Sequence, residues 1–294
     1  MPRRNKMANA QPEHPLAELS PKQITEKASV VAYGKATKKP ITAFYLAIMA
    51  GLFIGLAFVF YVTVTTGAGS MPWGMKNLAG GLSFSMGLLL LVVVGGELFT
   101  SSTLTMMARA GGQISTLQLL KNWAIVYFGN FVGSMFLVFL VFVAQMYMND
   151  GGQWGVNVLH ISTHKLGHTF PQAVALGMLC NIMVCLAIWM AFAAKSVTDK
   201  MFAVLLPVGM FVASGFEHSI ANMFMVPSAL MIENFAGPEF WASIGHTASD
   251  FSDLTVSNFV IHNLIPVTIG NIIGGGVVIG LMHWMIYLRP DIKK

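Results

Sequence analysis

An acid and an imidazole stand side by side at Glu217-His218, within Ser214-Gly215-Phe216-Glu217-His218-Ser219-Ile220-Ala221-Asn222, and long apolar stretches flank them. Ionisable groups in such a setting are costly unless a cavity or a partner receives them, so they mark functional positions. His218 ordinarily titrates near neutrality and suits hydrogen bonding or proton transfer to a small acid. Gly95-Gly96-Glu97-Leu98-Phe99-Thr100-Ser101-Ser102 is an echo: both stretches read Gly-x-Glu, follow an apolar run, and then turn small and polar. They read as the breaks of two interrupted membrane helices lining one solute path.

Around these breaks the polar residues divide by role. Thr100, directly after the first break, is expected to face the lumen. Asn181 is a polar side chain in an apolar run; bridging the breaks and lining the path are compatible roles for it. Glu97 and Glu217 read as structural, each carboxylate accepting N–H bonds from backbone exposed at a helix end. A bare negative charge in the lumen would repel an anion. Asn130, Asn222 and Asn271 are expected to hold the breaks together. No nucleophile motif, metal set or nucleotide loop accompanies Glu217-His218, which argues against an enzyme and against a cofactor. His160, His164 and His168 are spaced too irregularly for a metal site and read as loop.

The elements that position these residues must be membrane helices. Of the 294 residues only 10% are charged and 55% are hydrophobic, with a mean hydropathy of +0.67; a soluble domain carries about 25% charged residues. Cys180 and Cys185 lie in one apolar run and read as small core residues. The fold class expected is all-α, with six transmembrane helices over about 41–65, 78–108, 117–148, 172–194, 201–232 and 258–288. The second and fifth are long and interrupted. Residues 1–39 are expected to form a cytoplasmic tail whose Ser20-Pro21-Lys22-Gln23 opens a short amphipathic helix, ended by Gly34. Residues 40–290 would be the channel domain and 291–294 a second cytoplasmic tail. No cleavable leader is expected, since the first 40 residues lack an apolar run.

Basic residues set the orientation. Eight lie before the first span, two (Arg109, Lys121) between the second and third, two (Lys195, Lys200) between the fourth and fifth, and three at the C-terminus. Six spans put all of these on one side, leaving Lys76 and Lys165 on the other, so both termini are expected to be cytoplasmic. The pI of about 9.2 is thus a topology signal, with no nucleic-acid partner expected.

The third and sixth spans extend the echo. Asn122 and Asn130 bracket seven residues, as do Asn263 and Asn271, and Gly129-Asn130-x-x-Gly133 matches Gly270-Asn271-x-x-Gly274. Halves of about 41–148 and 172–288 therefore repeat, and three spans per half insert the second upside down. Inverted repeats with discontinuous helices are a recurring transport architecture. Half-helix N-termini facing a cavity favour an anion.

These motifs, together with Phe211-Val212-Ala213-Ser214-Gly215-Phe216-Glu217-His218 and Asn263-Leu264-Ile265-Pro266, make the chain resemble the formate/nitrite transporter family over essentially all of 20–290. The resemblance implies an aquaporin-like fold, a homopentamer with one pore per protomer, and a bacterial inner-membrane location. It also implies a central pore residue at His218 with Thr100 and Asn181 nearby. Phe84 and Phe211 would form the outer constriction, and Leu88, Phe99 and Val184 the inner one. Lys165 would be an anion attractor on the outer funnel, and the N-terminal segment a gate. Glu97 stands where the family often has Asp. Formate is then the expected solute. The alternatives are a proton-coupled carrier of nitrite or another small acid, and a neutral-solute channel, for which the twin Asn-Pro-Ala breaks are missing.

Overall fold

The computed structural model describes residues 18–289, and these are helical throughout their ordered elements. Of the expected tails over 1–39 and 291–294, residues 1–17 and 291–294, with Arg3, Arg4, Lys6, Lys293 and Lys294, lie outside the described residues.

Helix α1 (Pro21–Ala36) starts at a capping box: Ser20 N–H donates to Gln23 Oε1 at 2.8 Å and Gln23 N–H to Ser20 Oγ at 3.4 Å. Thr25, Ala28 and Ala32 form its buried face. The helix runs past Gly34, whose surroundings are open, and stops because Pro40 disfavours helical backbone at Lys39. Helix α2 (Pro40–Thr65) then begins with Pro40 at its first position, and its 26 residues reach about 39 Å. Helix α3 (Trp73–Val94) breaks at 95–98 and resumes as α4 (Phe99–Ser102), a 3₁₀ turn (Thr103–Thr105) and α5 (Met106–Ala110). Helix α6 (Thr116–Val143) follows from a second capping box, Ser115 with Gln118.

The segment expected to be a loop at 149–170 contains a helix, α7 (Gln153–Leu166), carrying His160 and His164. Trp154, Val158 and Ser162 are buried on it at helical spacing, a period hidden by the flanking glycines and the polar composition. Helix α8 (Phe170–Ala193) leads to α9 (Val197–Ala213) and, across a second break, α10 (Ser219–Phe235). After the short α11 (Pro238–Ile244), α12 (Val256–Asn258) and α13 (Ile265–Asn271) are joined and extended by wide i→i+5 turns as far as Leu288.

Among the described residues, α2, α3, α6, α8 and the C-terminal rod are each long and apolar enough to cross a membrane. Helices α9 and α10 have 17 residues each, short of the roughly 20 a crossing needs. Helix α2 packs on α3 and α6, α8 packs on α9 and α13, and α3 meets α9. Glycines bring these axes together. A Cβ on Gly133 would lie 2.0 Å from the Ile48 carbonyl oxygen of α2, and one on Gly274 would lie 2.2 Å from that of Met178 in α8.

Candidate functional site

Each break opens on a glycine that adopts a backbone angle L side chains rarely take: Gly95 at φ +102° and Gly215 at φ +73°. Backbone groups freed inside an apolar slab must find partners within the protein, and at the first break Asn130 supplies them. Its Oδ1 accepts from Phe99 N–H at 2.9 Å, while its Nδ2 donates to the carbonyls of Ala47 (2.8 Å) and Glu97 (2.9 Å). Asn271 does the same for the second. Its Oδ1 accepts from Ser219 N–H at 3.0 Å, and Nδ2 donates to the carbonyls of Gly177 (2.8 Å) and Glu217 (3.1 Å). Glu97 N–H bonds the Leu46 carbonyl at 3.1 Å, and Glu217 N–H the Leu176 carbonyl at 3.3 Å.

The two carboxylates depart from the sequence reading. They do not take backbone N–H groups, because the asparagines already hold those; they take cations instead. Glu97, 2% exposed, has Lys35 Nζ at 2.5 Å from Oε2 and Lys38 Nζ at 2.6 Å from Oε1. Glu217, 1% exposed, has Lys165 Nζ at 2.9 Å from Oε1. Its Oε2 accepts from Asn222 Nδ2 at 2.6 Å and Asn263 Nδ2 at 3.3 Å. A buried carboxylate keeps its charge only when paired and hydrogen-bonded, and both are.

Lys165, expected as an anion attractor on the outer funnel, lines the larger of the two cavities that reach the breaks. It sits at the end of α7, mostly buried, bonded to Glu217 and 5.8 Å over the Phe58 ring. Lys35, Lys38 and Asn263 are site residues that sequence reasoning missed. The signal was present: Lys35 precedes Leu46 by eleven residues, as Lys165 precedes Leu176. The carbonyls of Lys35 and Lys165 accept from Asn122 and Asn263, both at 3.1 Å.

Two cavities approach the breaks. One of about 530 Å³ is lined by Lys165, Phe84, Phe211, Glu217 and His218. The other, about 340 Å³, is lined by Lys35, Gly96, Ser101, Leu91 and Ile188. Phe84 meets Phe211 edge to face at 6.1 Å, and Phe211 stacks on the His218 ring at 6.1 Å. Leu88, Phe99 and Val184 are buried and line neither cavity. Along α3, Leu88 falls between Phe84 of the first cavity and Leu91 of the second. Along α8, Val184 falls between Leu176 of the first and Ile188 of the second. Phe99 turns to α6, packing on Tyr127 (4.8 Å) and Trp123 (6.2 Å).

His218 caps α10, its Nδ1 accepting from Ala221 N–H at 3.2 Å. A backbone N–H only donates, so the proton of the neutral ring sits on Nε2. That nitrogen lies 3.2 Å from Thr100 Oγ1. Asn181 lines neither cavity. Its Nδ2 ties the Thr100 carbonyl (3.1 Å) and Thr103 Oγ1 (3.1 Å) to the Asn271 carbonyl (2.6 Å), bridging the two breaks. Among the described residues no group of three or more His, Cys, Asp or Glu is placed to hold a metal ion.

Apolar helices of membrane length, two of the chain's helices interrupted around buried ion pairs, and a cavity leading to each break define a helical integral membrane protein of the transporter and channel type. The family model for the formate/nitrite transporter matches residues 22–285, and the chain belongs to that family. It is 55% identical over 279 residues to the formate channel FocA of Escherichia coli strain K12, covering 95% of this chain and 98% of that one. It is 48% identical over 265 residues to FocA of Haemophilus influenzae, covering 90% and 93%. A solved structure described as a pentameric formate channel with formate bound superposes with a TM-score of 0.82 at 56% identity, over 85% of this chain and 98% of that one.

Proposed function

We propose that this protein is a formate channel of a bacterial inner membrane, assembled as a homopentamer with a pore through each protomer, and that its work is transport rather than catalysis. Six spans form an aquaporin-like inverted 3+3 repeat over residues 40–290, with halves at about 41–148 and 172–288, and both termini are cytoplasmic. The observation that carries the reading is a pair of cavities on either side of the buried Leu88–Val184 layer, the first of them ending at the Phe84–Phe211–His218 cluster, where a buried donor waits beside Thr100. The 55% identity to a formate channel over nearly the whole chain and the pentameric formate-bound relative support solute and assembly.

An anion entering the Lys165 side meets a cavity lined by Lys76 and by the Lys165–Glu217 pair and then an apolar neck, where it must shed water. Phe84 and Phe211 form the outer part of that neck; Leu88, Phe99 and Val184 form the inner part. His218 Nε2–H and the Thr100 hydroxyl replace lost hydration by hydrogen bonding the carboxylate. Asn181 holds the two half-helices in register for that contact. Glu97, Glu217, Asn130, Asn222 and Asn271 keep the breaks open without offering the anion an unpaired negative charge.

Flux into proteoliposomes tests this: formate should enter far faster than glycerol, with nitrite and chloride setting the selectivity order. Glycerol passing as readily as formate would overturn the anion reading in favour of a neutral-solute pore. Formate accumulating against its gradient when a proton gradient is imposed would replace the channel by a proton-coupled carrier.

A further inference from the structure

The two breaks share one register. Counted 130 positions on, Lys35 becomes Lys165, Leu46 becomes Leu176 and Ala47 becomes Gly177, and each pair makes the same contact at its own break; Ile48 and its counterpart Met178 likewise each face a packing glycine, Gly133 and Gly274. The same step carries Lys38 to His168. Lys38 is the second cation on Glu97, at 2.6 Å. His168 Nε2 lies 3.8 Å from Glu217 Oε1, beyond a hydrogen bond, and is a buried nitrogen with no hydrogen-bond partner among the described residues.

The breaks therefore differ in charge. Two lysines face one carboxylate at Glu97, leaving one positive charge in excess. At Glu217 only Lys165 is permanently charged, and the pair cancels. His168 lines the 530 Å³ cavity together with His160, His164, Lys165, Lys76 and Glu217. The charged and titratable groups facing it are His164 (ring centroids 5.2 Å apart) and Lys165 from α7, Glu217 and His218 from the break, and Lys76 across the cavity from α3.

We propose that His168 is a positioning residue for anion entry: on gaining a proton its imidazolium closes on Glu217 as Lys38 closes on Glu97, releasing one net positive charge to the cavity and raising formate capture from that side. Partial burial holds the His168 ring below its usual protonation range, Glu217 opposing and His164 and Lys165 adding to the shift. The added charge thus fills in below about pH 6.5, and entry rises as that face of the membrane is acidified. The inference rests on the transport reading above and adds to it a control belonging to one face only.

The test is formate uptake into proteoliposomes of the full chain, internal pH fixed at about 7.5 and external pH stepped from about 7.5 to 5.5, with uptake by protein-free vesicles subtracted. Sided accessibility of the Lys165 face is set by sorting for outward-facing protein. The wild type should gain about fivefold more than H168Q over that step, the effect of one unit charge acting across a few ångströms of watery cavity. H168K should already show the acid-activated rate at the higher pH and change little below it. Any acid response through His218 is common to all three and cancels in the comparison. If wild type, H168Q and H168K share one pH profile, the assignment of His168 is overturned while the channel stands. If H168K does not assemble, H168Q alone decides: retention of the full wild-type response overturns the proposal. Wild-type vesicles that take up no formate at either pH overturn the transport reading, and this inference falls with it.

Discussion

Asn130 and Asn271 make the same three hydrogen bonds, one accepted from the first amide of a half-helix and two donated to carbonyls, each at its own helix break. Both side chains are fully buried. Replacing either with alanine strands one N–H and weakens two carbonyls where water does not reach. At about 1–3 kcal/mol per orphaned group, N130A and N271A should each lose at least about 3 kcal/mol and lower the melting temperature in detergent by similar amounts. N234A, which removes an exposed contact with its own helix, should leave it unchanged.

Gly133 and Gly34 lead to opposite expectations for the same substitution. A methyl at 133 meets a backbone oxygen on α2 at 2.0 Å, and α2 must move off α6 to admit it, so G133A should cost about 1–3 kcal/mol or more. Gly34 lies in the last turn of α1 with open space around it, so G34A should stabilise α1, by about 0.5 kcal/mol or less at this frayed end. Thermal unfolding of the two variants side by side checks both signs.

In the proposed pathway Thr100 and His218, their polar atoms 3.2 Å apart, meet the solute as a pair. H218N keeps an N-cap acceptor for α10 but loses the reach of Nε2; T100V keeps the shape and loses the hydroxyl. Formate flux should fall in each, and the double variant should fall by less than the product of the two, with a coupling of about 0.5–3 kcal/mol. Strictly multiplicative losses would show that the two groups meet the anion independently.

His160 packs between the His246 and Phe251 rings, at 6.1 and 5.6 Å. Burial first, and the facing His246 second, hold its imidazole below its ordinary protonation range. The folded ring therefore resists a proton that the unfolded chain accepts near pH 6.5. Packing of α7 on residues 246–251 is fully supported above that pH and weakens as pH falls below it. Hydrogen exchange of α7 amides should quicken between about pH 7 and 5, and H160F, which keeps the ring and removes the titration, should flatten that response.

Much of this was legible in the chain because two short motifs occur twice in the same order. Gly-x-Glu and Gly-Asn-x-x-Gly announced two breaks and two closely packed helix pairs, and the structure places Asn130 and Asn271 at those breaks. What escaped was the partner of each carboxylate. Lys35, Lys38 and Lys165 sit in polar, short elements that hydropathy assigns to water, and only tertiary packing folds α1 and α7 back against the breaks. The helix α7 was missed for the same reason: Trp154, Val158 and Ser162 keep helical period, but His160, His164 and Lys165 among them dilute the apolar signal. The tautomer of His218 was also out of reach, since it depends on one backbone amide, that of Ala221, presented to Nδ1.

Because Lys35 belongs to the same register as Lys165, α1 is no appendage to a finished bundle: each break takes its counter-ion from the chain just ahead of the helix packed on it. A shortened chain starting at residue 40 would strip Glu97 of both ammonium groups and leave a bare anion locked in the interior. Such a truncation removes a cornerstone along with any door, and a dead product would report collapse of the first half before it reported anything about opening and closing.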